Sequence, residues 1–249
     1  MSERRHLERD DARPPSVRTL VTVVVTILVV GLVIGAVAVA SLASGSTRTA
    51  ANRLDVGDDP QLAIRSTDAD VRLVEGDSTD VVIRAKVTSG ILETSYELRR
   101  RGDEIEVVGS CISWLSPGCG VVVTVAVPPK LPVLVATDSA DVTVDGLRDR
   151  VVTLATGSGD VRGGALNVQE FSARTDAGDI IATFDDQPFA FKARTDSGDI
   201  NARVPSGDIE YAVTVRSRTG DVRSDLESVA DGKGILRVVS DSGDIQLRR

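Results

Sequence analysis

The chain has 249 residues, 29 basic against 37 acidic, a net charge of −8, 3% aromatic residues, two cysteines and one histidine. A negative balance of this size argues against nucleic acid and against docking on anionic lipid, since both reward an excess of cations. The sole histidine, His6, stands near the N-terminus, which leaves the remaining chain without the commonest general base and metal ligand.

From the N-terminus, residues 1–18 read as a short cytoplasmic tail and 19–44 as a transmembrane helix. Leu20 to Ala40 carry neither charge nor proline, and a helix of that length spans about 32 Å, enough to cross a bilayer core. Arg4, Arg5, Arg9, Arg13 and Arg18 precede the segment, while only Arg48 and Arg53 follow it closely. The positive-inside rule then keeps the N-terminus in the cytoplasm and sends the rest outside. A cleaved signal peptide competes with this reading, because Ala36-Val37-Ala38 and Ala38-Val39-Ala40 have the small-residue cleavage pattern. Either route exports the remainder of the chain. Gly31 and Gly35 form a GxxxG pair that would pack two anchors into a homodimer; the competing reading is two glycines in a Val-rich span. Five of the 29 basic and four of the 37 acidic residues lie at or before Arg18, so the exported part has 24 basic against 33 acidic. The polar stretch 45–60 reads as a flexible tether.

Residues 61–249 read as an exported repeat domain. Within it, 81–127 form an excursion of longer alternating strands: Val81–Val87, Thr94–Arg100, Glu104–Val108 and Val121–Val127. Arg101-Gly102-Asp103 has the composition of a hairpin turn, and its receptor-recognition spelling is incidental on that reading. Pro128 and Pro129 end the last strand. Cys111 and Cys119 bracket a segment containing Trp114 and Leu115. A disulfide-closed loop fits an oxidising compartment, whereas a metal site would need further ligands. The loop either covers the end of the domain or makes a contact. The excursion as a whole is expected to cap an otherwise open stack.

Around the excursion one pattern occurs seven times. Aspartates 70, 141, 160, 179, 199, 221 and 244 each follow Gly or Ala, precede Val or Ile, and have Ser or Thr four residues earlier. From Asp141 the steps are 19, 19, 20, 22 and 23 residues. A near-constant period in this range marks a repeat architecture. Positions −8 and −6 from the aspartate are apolar almost throughout, as in Phe171 and Ala173 or Val152 and Leu154. Positions −8, −6 and −4 share one face of an extended segment. Each unit therefore reads as a half-buried strand, a corner, and a second short strand. Gly159, Gly178, Gly198, Gly220 and Gly243 supply positive φ at the corner. The expected fold is all-β, a right-handed parallel β-solenoid of about 20-residue repeats after one transmembrane helix. An antiparallel meander is the alternative, but it gives no reason for like residues to recur column by column.

No nucleophile elbow, phosphate-binding loop or metal-ligand cluster occurs, so no catalytic residue and no cofactor are expected. A catalytic carboxylate pair is unique within its fold, whereas this aspartate recurs in every unit. Two readings of the column stay open. Each carboxylate accepts hydrogen bonds from backbone N–H at its own corner or from the Ser/Thr column. Otherwise Asp141, Asp160, Asp179, Asp199, Asp221 and Asp244 pool oxygens for calcium, joined by Asp138, Asp176, Asp196 and Asp241. The second row is broken at Gly157 and Arg218.

An N-terminal anchor, Val127-Pro128 and tandem Thr-Asp-Ser-Gly-Asp-Ile units, as at Thr195–Ile200, resemble the bacterial "putative adhesin" family of β-strand-repeat domains of unknown function. The resemblance covers Leu54 to Arg249 and implies a β-solenoid at the cell surface. The expectation is a non-catalytic, membrane-anchored adhesin or envelope-binding module in a bacterial plasma membrane. The 25 arginines against 4 lysines fit a GC-rich genome. Its partner would be an envelope polymer or a surface protein. The alternative is an envelope sensor acting through a second protein.

Overall fold

The computed structural model describes residues 46–55, 61–90, 92–101, 104–111, 116 and 118–249. The tail, the apolar segment Leu20–Ala40, the Gly31/Gly35 pair, Gly102-Asp103 and Trp114-Leu115 lie outside the described residues. Among the described residues there is no helix long and apolar enough to cross a membrane; every regular element is a strand.

The regular part of the chain is built from coils of two strands each. In chain order these are β2 (Leu62–Ser66) with β3 (Asp70–Glu75), β8 (Val133–Thr137) with β9 (Val142–Asp145), and β10 (Val151–Thr156) with β11 (Val161–Leu166). Then come β12 (Glu170–Ala177) with β13 (Ile180–Phe184), β14 (Ala190–Ser197) with β15 (Ile200–Arg203), β16 (Tyr211–Ser217) with β17 (Val222–Ser224), and β18 (Gly234–Ser242) with β19 (Ile245–Arg248). First strands pair with first strands and second with second, always parallel, which makes two sheets. The register places Val152 beside Phe171, Phe171 beside Phe191, and Phe191 beside Leu236. Like positions therefore stack in columns, as a parallel solenoid requires and a meander does not.

The interior is a narrow slot between the sheets. Each coil contributes apolar side chains to it; the β10–β11 coil buries Val152, Leu154, Val161 and Leu166, each contributing about 1.5–3 kcal/mol. Phe171, Phe184 and Phe191 meet with ring centroids 5.2–6.1 Å apart. Gly163 makes room for Leu166 and Phe171, because a Cβ there would lie 2.7 Å from Leu166 Cδ1 and 3.3 Å from Phe171 Cζ.

Space and sequence part company at both ends of the stack. The last coil, β18–β19, does not follow β16–β17 outward; it is inserted between that coil and β14–β15. The 22- and 23-residue steps reflect this detour. At the other end, β2–β3 lies directly against β8–β9, despite the 71 residues between their aspartates. The intervening excursion contains β4 (Val81–Ser89), β5 (Ser95–Arg101), β6 (Glu104–Ser110) and β7 (Gly120–Val127). Of these, β6 and β7 form one more parallel coil, on the opposite side of β2–β3. Antiparallel β5 and β4 then extend the two sheets. The β5–β6 hairpin pairs Arg101 with Glu104.

The tether expected over 45–60 is corrected. Ser46–Leu54 forms a strand, β1, paired antiparallel with β4 from Ser46↔Ser89 to Leu54↔Val81. Almost every β1 residue is exposed, so hydrophobic pattern did not mark it. What makes it a strand is the open edge of β4, whose unpaired N–H and C=O groups it satisfies.

Arg150 shows how the wide turns are joined. Its side chain is fully buried, its Nη2 meets Glu75 Oε2 at 2.5 Å, its Nε donates to Arg148 O, and its Nη1 donates to Pro128 O and Leu131 O. Desolvation pulls the guanidinium below its ordinary pKa, and the Glu75 charge works against that pull. A buried cation with a carboxylate and three carbonyls around it is tolerable; one stripped of its carboxylate is not.

Candidate functional site

The recurring aspartates are brought into one line along a corner of the stack, and each bonds the coil beside it. The N–H of Asp141 donates to Asp70 Oδ1, Asp160 to Asp141, Asp179 to Asp160, Asp199 to Asp179, Asp244 to Asp199 and Asp221 to Asp244. The donor–acceptor distances run from 2.7 Å at Asp244 to 3.2 Å at Asp141. The ladder follows spatial order, with Asp244 before Asp221. Two carboxylates about 4.8 Å apart in water repel by roughly 1 kcal/mol. A hydrogen bond from backbone N–H to a carboxylate is worth about 1.5–3 kcal/mol, so the attraction wins at each step.

Arg162 adds to this between two rungs, reaching Asp141 Oδ2 at 3.0 Å and Asp160 Oδ2 at 2.6 Å. The Asp141 hydrogen bond raises the arginine's pKa. At Asp70 desolvation holds the carboxyl above its ordinary value, opposed by the Asp141 N–H and reinforced by the Asp141 charge.

The Ser/Thr column does a different task from the one expected. The hydroxyls do not donate to the carboxylates. Thr156 Oγ1 donates to Ala140 O, Thr175 to Gly159 O, Thr195 to Gly178 O, Ser240 to Gly198 O and Ser217 to Gly243 O. Each acceptor is the corner residue of the adjacent coil, so hydroxyl and carboxylate tie the same two corners by separate bonds. In the β2–β3 and β8–β9 coils, Ser66 and Thr137 donate within their own corners to Ala69 O and Ala140 O. These hydroxyls are buried, and their bonds satisfy groups that would otherwise be costly.

The glycines are also there for a reason other than φ. Only Gly198 and Gly243 of the five have positive φ, 154° and 146°. What all five share is a carbonyl beneath them. A Cβ on Gly159 would lie 2.0 Å from Ala140 O, on Gly178 2.2 Å from Gly159 O, and on Gly198 2.0 Å from Gly178 O. On Gly220 it would lie 1.9 Å from Gly243 O, and on Gly243 2.0 Å from Gly198 O. Coil spacing selects glycine at all five positions, and turn conformation adds to it at Gly198 and Gly243.

Of the second acidic row, Asp176 and Asp196 are held by Arg174 and Arg194. Among the described residues no group of three or more His, Cys, Asp or Glu side chains is placed to hold a metal ion. Cys111 and Cys119 form a disulfide, with Cα atoms 6.0 Å apart. The disulfide ties the end of β6 to the start of β7, the place in the chain where other coils have their aspartate.

One group of side chains passed unnoticed in the sequence. On the outer face of the sheet of first strands, positions −7 and −5 from the aspartate alternate outward. They place Lys192 and Arg237 in one row, and Arg174, Arg194 and Arg216 in another. The period that reveals the core columns would also have aligned these.

The fold defines a class: an all-β protein of parallel stacked repeats, with corners bonded coil to coil. Residues 132–248 match the Toastrack DUF4097 family, a domain of unknown function. A solved structure described as a "putative cell adhesion protein" from Clostridium sporogenes aligns at 9% identity and TM-score 0.46, covering 82% of this chain and 99% of its own. A "putative adhesin" from Bacteroides fragilis aligns at 10% identity and TM-score 0.38, covering 82% and 98%. A "putative lipid binding protein" from Parabacteroides distasonis aligns at 12% identity and TM-score 0.35, again covering 82% and 98%. No curated protein matches the chain.

Proposed function

We propose that the chain is a non-catalytic binding module of the bacterial envelope. Leu20–Ala40 hold it in the plasma membrane with the N-terminus in the cytoplasm, and Gly31 and Gly35 offer a contact for a second anchor. The repeats stand outside and present a ribbed surface to an envelope polymer or a surface protein. One observation carries the reading. Six of the seven aspartates accept a backbone N–H from the adjacent coil, and five of the seven hydroxyls donate to the adjacent corner, which engages the column in joining coils rather than in chemistry. What remains for a ligand is the outer face of the sheets, where side chains repeat at strand spacing, about 4.8 Å. A module of this kind recognises extended molecules with a repeat of their own.

The test is co-sedimentation of the full chain, in neutral detergent, with isolated envelope material, in calcium and in chelator. Retention supports the module. Its absence in both conditions removes direct envelope binding and favours a role through another protein.

A further inference from the structure

The described part of the chain is acidic on balance, yet one strip of its surface is strongly basic. Arg174 on β12, Lys192 and Arg194 on β14, Arg237 on β18 and Arg216 on β16 stand on the outer face of four neighbouring strands. With Ser172 and Val239 they line a shallow trough of about 490 Å³. Its length along the stack is about three strand spacings, roughly 15 Å.

Two of the cations are engaged: Arg174 with Asp176 at 3.3 Å, and Arg194 with Asp196 at 3.1 Å and Asp241 at 4.0 Å. Lys192, Arg216 and Arg237 are exposed and have no ion pair among the described residues. Three unneutralised charges on adjacent strands repel one another and gain nothing for the fold. Their juxtaposition is a standing demand for an anion.

We infer that this strip binds a single-chain phosphodiester polymer of the cell envelope, laid across the strands along the stack. The inference rests on the binding-module reading and names its ligand class. Four of the five cations are arginines, whose planar fork matches phosphate oxygens bidentately. A linear polyanion engages several of them at once and releases counterions as it does so. The surroundings decide against the other anionic surfaces. Asp176, Asp196 and Asp241 fringe the strip on the corner side; a flat anionic membrane would meet those carboxylates with the cations, whereas a narrow chain passes beside them. Single-stranded nucleic acid would find no stacking platform, because no aromatic side chain lines the trough.

The test uses the full chain in phosphatidylcholine nanodiscs, immobilised and titrated with poly(glycerol phosphate) across a salt series. Lys192→Gln, Arg216→Gln and Arg237→Gln are combined in one variant. A control removes equal charge from the other sheet with Arg203→Gln, Arg223→Gln and Arg248→Gln, and melting curves confirm that both are folded. The strip variant is expected to bind at least about tenfold more weakly at low salt, with its log–log salt slope reduced by roughly 2 for three lost contacts. The control should stay within about twofold of the parent.

Equal binding by the strip variant and the parent overturns the inference. So does an equal loss in both variants, which would mean diffuse charge, or tighter binding to single-stranded DNA than to the polymer. Binding to phosphatidylglycerol vesicles without binding to the polymer overturns it in favour of a membrane. If the strip variant still sediments with envelope material, the strip fails and the module stands; if the parent binds the polymer but not the envelope, the module fails.

Discussion

Replacing Gly178 by alanine probes the coil contact most sharply. The new Cβ would lie 2.2 Å from Gly159 O, where at least 3.0 Å is needed, so the two coils must part by most of an ångström. Two bonds of the corner cross that gap: Asp179 N–H reaches Asp160 Oδ1 at 2.8 Å, and Thr175 Oγ1 reaches Gly159 O at 3.1 Å. Overpacking costs about 1–3 kcal/mol, and weakening both bonds about 1 kcal/mol each. Less chain entropy in the unfolded state returns at most about 1 kcal/mol. The balance is a loss of roughly 2–4 kcal/mol, or a fall in Tm of roughly 10 °C for a domain of this size. Circular dichroism melting of the parent and the variant reads it. Gly120→Ala is the control, since nothing lies within 4 Å of a Cβ there, and its Tm should stay within about 2 °C. A Gly178→Ala protein that melts with the parent refutes the claim that coil spacing selects the glycine.

Other consequences are equally open to measurement. Glu75→Gln leaves the buried Arg150 guanidinium without its countercharge and should cost about 3 kcal/mol in denaturant unfolding; a loss below about 0.5 kcal/mol contradicts the buried pair. Thr175→Val keeps the shape but leaves Gly159 O without its hydroxyl donor, so about 1–2 kcal/mol should go, while Thr175→Ser should retain most of it. Desolvation, with the Asp186 charge behind it, pushes the Tyr211 hydroxyl up to about 12, and this hydroxyl donates to Pro188 O. Because the folded pKa is raised, the contribution is complete below the unfolded pKa of about 10 and is lost as pH rises from there through 12. Absorbance titration should show Tyr211 ionising well after a free tyrosine. With each ladder carboxylate below Asp221 already accepting a backbone N–H, melting in calcium and in chelator should agree within about 1 °C; a large stabilisation by calcium would reopen the column as a metal site.

How far the sequence could be read was set by the range of the forces involved. The columns at −8, −6 and −4 were visible because burial imposes its own alternation on every coil, so Val152, Phe171 and Phe191 announce one another. The strands of the excursion were visible for the same reason, and the Cys111–Cys119 bridge followed from two cysteines eight residues apart. The order of coils was not, because parallel pairing of β18 with β14 on one side and β16 on the other leaves no local trace. Nor was β1, whose exposed residues become a strand only because β4 offers an edge. At the corners the residue types were right and their reasons only in part: positive φ holds at Gly198 and Gly243, and the carboxylates do accept backbone N–H, but from the adjacent coil. The glycines answer a carbonyl one coil away, and the hydroxyls donate to that coil's corner rather than to the carboxylate. The basic strip shared the period of the core but faced outward, where arginine is common enough to pass for solvated surface.

On the proposed function, the outer face of the repeats, not the aspartate corner, meets the envelope. Sedimentation of the full chain with isolated envelope material separates the two, run beside the Lys192→Gln, Arg216→Gln, Arg237→Gln variant and an Asp179→Asn, Asp199→Asn variant. The parent and the aspartate variant should be retained, in calcium and in chelator alike, and the strip variant released. Release of the aspartate variant with retention of the strip variant would contradict the proposed function.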